Sequence, residues 1–412
     1  MKFIDLFSGL GCFHIALKSL GHECVYACEI NKELNDLYFD NHAIKPDLDI
    51  TKVDLKAIPN HDILCAGFPC QAFSKAGRQL GISDDRGKLI NTVIEILYIK
   101  KPKYFILENV RNLEKHDNGK TWEFIYSELT RLGYNVDKKI LSPHNFGIPQ
   151  HRERIFIIGS KKSLKKFKWP IDVKIETDLP SIPYNQSLLI EKEKEKVIKI
   201  WQEFLNVLPS NVKPISPLWS MEFGANYPLD VDLYKLSLKE LRTFKGSYGK
   251  QITGFTREEV FKNLPNYIKT QKKIMPAWKK NYIQRNRDFY QQYKKEIDLI
   301  LPKIKNLNNE SWQKFEWNCG DQIKNIWNYY IQFRGSGLRI KKTDFFPSLV
   351  TVTTQIPIVG LEKRYLSVQE AKFLQSIPDN ILLPQTTAAS FKALGNAVNV
   401  DLIKLVSKNL LQ

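Results

Sequence analysis

The run Gly67-Phe68-Pro69-Cys70-Gln71-Ala72 sets a cysteine beside a proline directly after the apolar stretch Ile63-Leu64-Cys65-Ala66. A thiol delivered at the end of a strand, outside the core, is placed to act as a nucleophile. The other five cysteines, Cys12, Cys24, Cys28, Cys65 and Cys319, read as small buried hydrophobes. Glu108 closes the apolar run Tyr104-Phe105-Ile106-Leu107, so partial burial is expected to raise its pKa and let it carry a proton near neutrality. The plainer alternative is an exposed glutamate at a strand end. Arg152 and Arg154, in Gln150-His151-Arg152-Glu153-Arg154, stand two apart just before a strand. On extended backbone such a pair points one way, toward an oxygen-rich target, whereas either arginine alone reads as a surface residue.

A glycine turn, Ser8-Gly9-Leu10-Gly11-Cys12-Phe13, follows the first apolar run, and Glu29 lies about twenty residues beyond it. Such a turn lets a ligand approach the backbone at a helix start, and the acid can accept hydrogen bonds from ribose hydroxyls. The third glycine of the dinucleotide fingerprint is missing. An adenosyl ligand without a pyrophosphate therefore fits better, with Ile30 against the purine and Asp49 toward its amino group.

The elements that must position these residues alternate through the first 160 positions. Strands are expected at Lys2 to Leu6, Cys24 to Ala27, Ile63 to Ala66, Tyr104 to Leu107, Val136 to Leu141 and Ile155 to Gly159. Helices are expected at Cys12 to Leu20, Leu89 to Tyr98 and Trp122 to Leu132. This is the pattern of an α/β fold with a doubly wound, mostly parallel, Rossmann-like sheet, whose ligands bind outside the carboxyl ends of the strands. The glycine turn, Glu29, Cys70 and Glu108 all fall at such ends.

The 412 residues carry a net charge of +18, and residues 161 to 363 hold +15 of it, against +1 for residues 1 to 160. A near-neutral catalytic block joined to a basic region suggests a polyanionic partner, although lysine-rich surfaces are often only solubilising. The basic region includes a charged helix pattern at Ile190 to Val207. It also holds the run Tyr282-Ile283-Gln284-Arg285-Asn286-Arg287, whose aromatic and basic residues suit phosphates and bases. No apolar run reaches the ~18 residues of a membrane span, and no secretory signal is expected at the amino terminus, so a cytoplasmic protein is expected. The six cysteines show no zinc-site or disulfide spacing.

Together these segments resemble the DNA (cytosine-5)-methyltransferase family of bacterial restriction-modification type. Asp5-Leu6-Phe7-Ser8-Gly9-Leu10-Gly11, Pro69-Cys70-Gln71, Glu108-Asn109-Val110 and Gln150-His151-Arg152-Glu153-Arg154 occur in the family's order. Arg364-Tyr365-Leu366-Ser367, Glu370, Leu374-Gln375 and Gly395-Asn396-Ala397-Val398 follow. The resemblance covers about residues 1 to 160 and 345 to 412. It implies a class I S-adenosylmethionine-dependent fold divided as a catalytic and cofactor-binding domain at 1–163, a basic target-recognition domain at 164–355, and a carboxyl-terminal catalytic part at 356–412 that folds back on the first. A last helix is expected at about Val400 to Leu411.

By the same resemblance Cys70 attacks carbon 6 of a flipped-out cytosine, Glu108 holds its N3, Arg154 contacts its O2 and Arg152 supports the pocket. Methyl transfer from S-adenosylmethionine to carbon 5 needs no metal. The cofactor pocket is assigned to Phe7, Gly9, Gly11, Glu29, Ile30, Asp49, Ile50, Phe68, Asn396 and Val398. Gln71 to Lys88 resembles the loop that closes over the base, and Gln71, Ser74, Arg86 and Ser348 are the expected DNA contacts. Two positions depart from the family pattern: Cys12 where a third glycine is common, and Ala397 where serine is frequent. Ser348-Leu349 replaces a threonine-leucine pair.

Double-stranded DNA is the implied partner of a monomeric enzyme in the bacterial cytosol, at the nucleoid, with a cognate restriction endonuclease as a genetic partner only. The alternatives are a tRNA cytosine-5 methyltransferase and a catalytically silent DNA-binding protein of the same fold. The first has a short recognition region and the second loses its reactive residues first. A nicotinamide oxidoreductase explains neither Pro69-Cys70-Gln71 nor the basic middle. Arg334 and Arg339 are candidates for reading bases; the recognition sequence itself stays open.

Overall fold

A computed structural model describes residues 1–68, 89–173, 188–269, 275–320 and 325–412. The chain divides into two compact units, one made of Met1–Tyr184, Asp344–Thr353 and Ser367–Gln412, the other of Asn185–Thr343 and Thr354–Leu366.

The first unit opens with β1 (Lys2–Leu6), α1 (Cys12–Ser19), β2 (Glu23–Cys28), α2 (Lys32–His42) and β3 (Ile63–Gly67). It continues through α3 (Leu89–Lys100), β4 (Tyr104–Val110), α4 (Lys120–Arg131), β5 (Asn135–Leu141) and β6 (Arg154–Ser160). The six strands lie in the order β2-β1-β3-β4-β6-β5. The pairs β1–β2, β1–β3 and β3–β4 are parallel, and β6 runs antiparallel to both β4 and β5. Strand order reverses at β1, with β2 on one side and β3 on the other, so the carboxyl ends of β1 and β3 form the switch point where such sheets bind ligands.

Both faces of this sheet are covered, as the continuous apolar runs require. Ile4, Leu6, Leu64, Ala66, Phe105, Leu107, Ile155 and Ile157 pack with Ile90, Val93, Ile94 and Leu97 of α3 and with Ile125 and Leu129 of α4. The alternate residues Phe3, Asp5, Ile63, Cys65, Ile106, Phe156 and Ile158 are also buried and point the other way. There the Tyr38 hydroxyl donates to Asp5 at 3.4 Å and lies 2.9 Å from His14 Nδ1. Three carboxyl-terminal helices, α5 (Val368–Leu374), α6 (Thr387–Asn396) and α7 (Val400–Leu410), complete the unit, with α7 packed on α1.

The second unit is built on a six-stranded sheet whose three full strands are Lys314–Asn318, Tyr330–Arg334 and Gly337–Lys341. Phe315, Trp317, Ile331, Phe333, Leu338 and Ile340 pack on Val197, Ile198, Trp201, Phe204 and Leu205 of the helix Lys192–Val207. A smaller core gathers Tyr227, Leu241, Ile252, Val260, Phe261 and Ile283.

Two expectations are revised. The basic run at 282–287 lies within the helix Ala277–Gln292, and its last two residues turn inward. Arg287 meets the fully buried Glu222 at 3.1 Å, so this arginine holds the core together. The segment Asp344–Thr353, expected in the middle domain, belongs to the first unit: Phe346–Pro347 pairs in parallel with Gln150–His151.

Candidate active site

The turn after β1 is shaped by three residues in left-handed conformations, Phe7 (φ 56°), Gly9 (φ 53°) and Gly11 (φ 78°). It is tied by hydrogen bonds from the Ser8 N–H to the Cys28 carbonyl (3.0 Å) and from the Gly11 N–H to the Ser8 carbonyl (2.7 Å). At Gly11 a Cβ would come within 2.3 Å of His42 Nε2, so this glycine is required by packing against α2. Gly9 has open space where its Cβ would point.

That open space belongs to a cavity of about 470 Å³ at the switch point. Of the expected cofactor residues, Phe7, Gly9, Glu29, Ile30, Phe68, Asn396 and Val398 line it, together with Glu108, Arg152 and Arg154. Three do not. Gly11 faces His42; Ile50 is buried in the core beneath α3; and Asp49 accepts from the Thr51 N–H (3.1 Å) and hydroxyl (2.7 Å) to cap a short turn. Ser8, Leu10, Asn31, Glu33, Leu34, Asn109, Pro384 and Lys392 also line the cavity. Asn109 carries a signal in the sequence, following Glu108 in the fourth strand. The Pro384 and Lys392 positions have none, because they arrive from a carboxyl-terminal segment more than 370 residues beyond the glycine turn.

Glu29 is nearly buried and accepts one backbone N–H on each oxygen, from Gly9 and from Asn31, both at 2.8 Å. Burial raises its pKa, and these two hydrogen bonds oppose the rise. Each carboxylate oxygen keeps a further lone pair for a hydroxyl. Beside it Ile30 is 72% exposed, an apolar surface available to a flat ring. An accepting carboxylate, an exposed apolar side chain and an unobstructed glycine backbone fit an adenosyl group.

Glu108 lies inside β4, which extends to Val110, and not at its end as the apolar run suggested. It is buried in the strand, and burial raises its pKa against the lowering influence of Arg154 and Arg152. Arg154 stands opposite Val110, one pleat along from Glu108, and its Nε reaches Glu108 Oε1 at 3.0 Å. Arg154 Nη1 donates to the Glu153 carbonyl at 2.8 Å. The end of β4 is linked to β3 by Asn109, whose Nδ2 donates to the Phe68 carbonyl at 3.2 Å.

Arg152 does different work from Arg154. It is 2% exposed, and its guanidinium donates to Ser348 Oγ (3.2 Å) and to the carbonyls of Leu349 (3.0 Å), Gly395 (2.8 Å) and Ala397 (2.8 Å). It thus joins three stretches of chain that are remote in sequence. Ser348, expected at the DNA, is held against Arg152 in this structure.

Cys70, Gln71, Ser74 and Arg86 lie outside the described residues. The other five cysteines are buried, as expected, and burial pushes the Cys12 thiol up to about 12. Among the described residues no cluster of His, Cys, Asp or Glu is arranged to hold a metal ion, and no helix is long and apolar enough to cross a membrane.

Fold and site define an α/β enzyme with an adenosyl-sized cavity at the sheet's switch point, walled by a buried carboxylate paired to an arginine. The chain belongs to the C-5 cytosine-specific DNA methylase family, whose model matches residues 1–222 and 229–412. It is 41% identical over 217 residues to the Type II methyltransferase M.HhaI of Haemophilus parahaemolyticus, covering 52% of this chain and 66% of that protein. With M.AluI of Cellulosimicrobium cellulans it is 30% identical over 481 residues, covering 98% and 90%. With M.BanI of Aneurinibacillus aneurinilyticus the identity is 30% over 429 residues, covering 100% and 96%. By family it is a cytosine-5 DNA methyltransferase of the type II restriction-modification kind. The solved structure of the Entamoeba histolytica methyltransferase EhMeth matches with a TM-score of 0.52 at 16% identity, covering 100% of this chain and 98% of that one; this likeness concerns the fold alone.

Proposed function

We propose that this chain methylates carbon 5 of a cytosine within a defined sequence of duplex DNA, using S-adenosylmethionine. The observation that carries the reading is the Glu108–Arg154 pair on the wall of the cavity that Glu29 also lines.

A cytosine ring is a poor electrophile, and inside a duplex its carbon 6 is out of reach, so the base must leave the stack. Protonated Glu108, favoured by burial, donates toward N3 and drains electron density from the ring as the Cys70 thiolate forms its bond to carbon 6. Arg154 holds Glu108 in place and turns its remaining N–H groups toward the ring's O2. Carbon 5 thereby gains nucleophilic character. When bound, the cofactor supplies an electrophilic methyl group on its sulfonium. A base then removes the carbon 5 proton, the electron pair left behind restores the C5–C6 double bond as Cys70 is expelled as thiolate, and N3 returns its proton to Glu108.

Glu29 would hold the ribose hydroxyls, Ile30 the purine, and Phe7, Phe68, Asn396 and Val398 the remaining wall. Arg152 acts as a positioning residue. Cys70, Gln71, Ser74 and Arg86 are assigned by the resemblance of their segment, as are Gly11, Asp49 and Ile50 beside the pocket. The basic second unit would carry target recognition. The enzyme would act as a monomer in the cytoplasm, with a restriction endonuclease as its genetic partner.

The test is bisulfite sequencing of plasmid DNA from a methylation-free bacterial host expressing the chain, with Cys70→Ala as control. Protected cytosines in one short motif, lost in the control, support the reading. Complete conversion with soluble protein in hand overturns it in favour of an RNA substrate or a silent binder.

A further inference from the structure

Strand alternation in the second unit sends Phe315, Trp317, Ile331, Phe333, Leu338 and Ile340 into the core. Lys314, Glu316, Gln332, Arg334, Arg339 and Lys341 therefore share the opposite face. Register arranges these in rows. Arg339 stands between Glu316 and Gln332 in one row. At the end of the sheet Arg334 faces Gly337 across the hairpin, and Gly337 abuts Lys314 so closely that a Cβ would come within 2.8 Å of the Lys314 backbone. That end row is thus two cations flanking a bare backbone.

The charges of the two rows are unequal. Their one carboxylate, Glu316, is committed to Arg339, with Nε and Oε2 2.5 Å apart. Among the described residues Lys314 and Arg334 have no ion pair, although both are half-buried. Burial pushes the pKa of each down, and Arg339 adds to the effect on Arg334, while Glu310 opposes it at Lys314 and Glu316 at Arg334. Lys314 Nζ lies over the Tyr267 ring, 5.7 Å from its centroid, and a partly desolvated cation with no direct ion pair is unfavourable in the free protein. It becomes favourable when a ligand supplies the missing acceptors.

The hairpin also has the shape of a probe. Only Gly335 and Ser336 connect the strands Tyr330–Arg334 and Gly337–Lys341; both are exposed, and nothing stands within 4 Å of where a Gly335 Cβ would lie. The hairpin stays flanked by the strand Lys314–Asn318 up to its tip, and only the tip, at the edge of the six-stranded sheet, is slim enough to enter the major groove of B-form DNA, about 12 Å wide. We propose that Arg334 is a specificity-determining residue that reads a guanine in the major groove, its planar fork donating to O6 and N7, while Lys314 holds a neighbouring phosphate. The fork is matched to that base edge, whereas the lysine is a point charge suited to phosphate. This assignment rests on the reading that the substrate is duplex DNA.

The test compares wild type, Arg334→Lys, Arg334→Ala and Lys314→Ala by bisulfite sequencing in the same host and by duplex binding across a salt series. Arg334→Lys keeps the charge and loses the fork, so it separates base reading from folding. Both Arg334 variants should relax the methylated motif at one guanine position only, with about tenfold or greater loss of discrimination there. Lys314→Ala should keep the motif, weaken all duplexes alike, and lower the slope of log affinity against log salt by about one. An unchanged motif in the Arg334 variants, with uniformly weaker binding, overturns the assignment while leaving the DNA-methyltransferase reading intact. Wild type that methylates no DNA removes that reading and the inference with it.

Discussion

Arg154 Nε lies 3.0 Å from Glu108 Oε1, a diagonal pair across antiparallel strands in which the carboxylate side chain is 9% exposed and the guanidinium 18%. The arginine fixes the direction of the acid, and burial sets the acid's readiness to hold a proton. The proposed chemistry asks both of Glu108.

Glu108→Gln keeps the shape and the acceptor for Arg154 but cannot transfer a proton. Its kcat should fall by about 10²- to 10⁴-fold with duplex affinity retained. The stability of the wild type carries a signature too. Between the ordinary glutamate value of about 4.3 and the raised folded value, the native state holds a proton that the unfolded chain has released, so stability falls as pH rises through that window. Melting both proteins from about pH 4 upward should show the wild type losing stability relative to the glutamine variant. Parallel curves would mean that Glu108 ionises as it does in water.

Arg152→Met removes the guanidinium that serves Ser348, Leu349, Gly395 and Ala397. Loss of such a buried charged network should cost about 3–5 kcal/mol in chemical denaturation of the first unit. Ser348→Ala should cost about 1 kcal/mol. If the methionine variant is as stable as the wild type, the three stretches are held by packing alone.

Asn41 and Leu382 exchange two hydrogen bonds, Nδ2 to the Leu382 carbonyl at 3.1 Å and the Leu382 N–H to Oδ1 at 2.7 Å. They tie α2 to the segment that brings Pro384 to the cavity wall. Asn41→Ala should raise the KM for S-adenosylmethionine by up to about 30-fold, the most that two hydrogen bonds of ~1 kcal/mol can do, and leave kcat unchanged at saturating cofactor. A lower kcat at constant KM would move the role of this tie from cofactor binding to the chemical step.

Glu222, fully buried, accepts from the Tyr227 and Tyr267 hydroxyls and pairs with Arg287 at 3.1 Å. Glu222→Leu strands the arginine and should destabilise the second unit by about 3–5 kcal/mol. Adding Arg287→Met should recover a large part of that loss, since an apolar pair avoids the desolvation of both charges. A double variant no better than the single one would show that the tyrosine hydroxyls, and not the arginine, are what the carboxylate serves.

Local chemistry made much of this protein legible before any fold was seen. The strands of the first unit stand within three residues of where their apolar runs place them, and the expected helices within two, because burial on both faces of a parallel sheet leaves an unbroken hydrophobic signature in each strand. Amphipathic helices leave a weaker one, and α2, α5 and α6 were not anticipated. The glycine turn, Glu29 and Glu108 were equally legible as cavity residues, since each follows or lies near the carboxyl end of such a strand, whereas Asn396 was legible only through the family resemblance.

Tertiary structure decided what spacing cannot encode. Two arginines separated by one residue look equivalent, yet Arg154 turns to Glu108 while Arg152 is consumed by carbonyls nearly 250 positions away. Gly11 reads as a ligand contact and is a packing contact with His42; Arg287 reads as a phosphate contact and is the counter-ion of Glu222. The sequence by itself determined which groups are available and which elements carry them, because hydrophobic period and turn chemistry are local. Which partner each charged group meets was decided only when distant segments closed on one another, because a buried charge takes its partner from whatever the fold brings within a few ångströms.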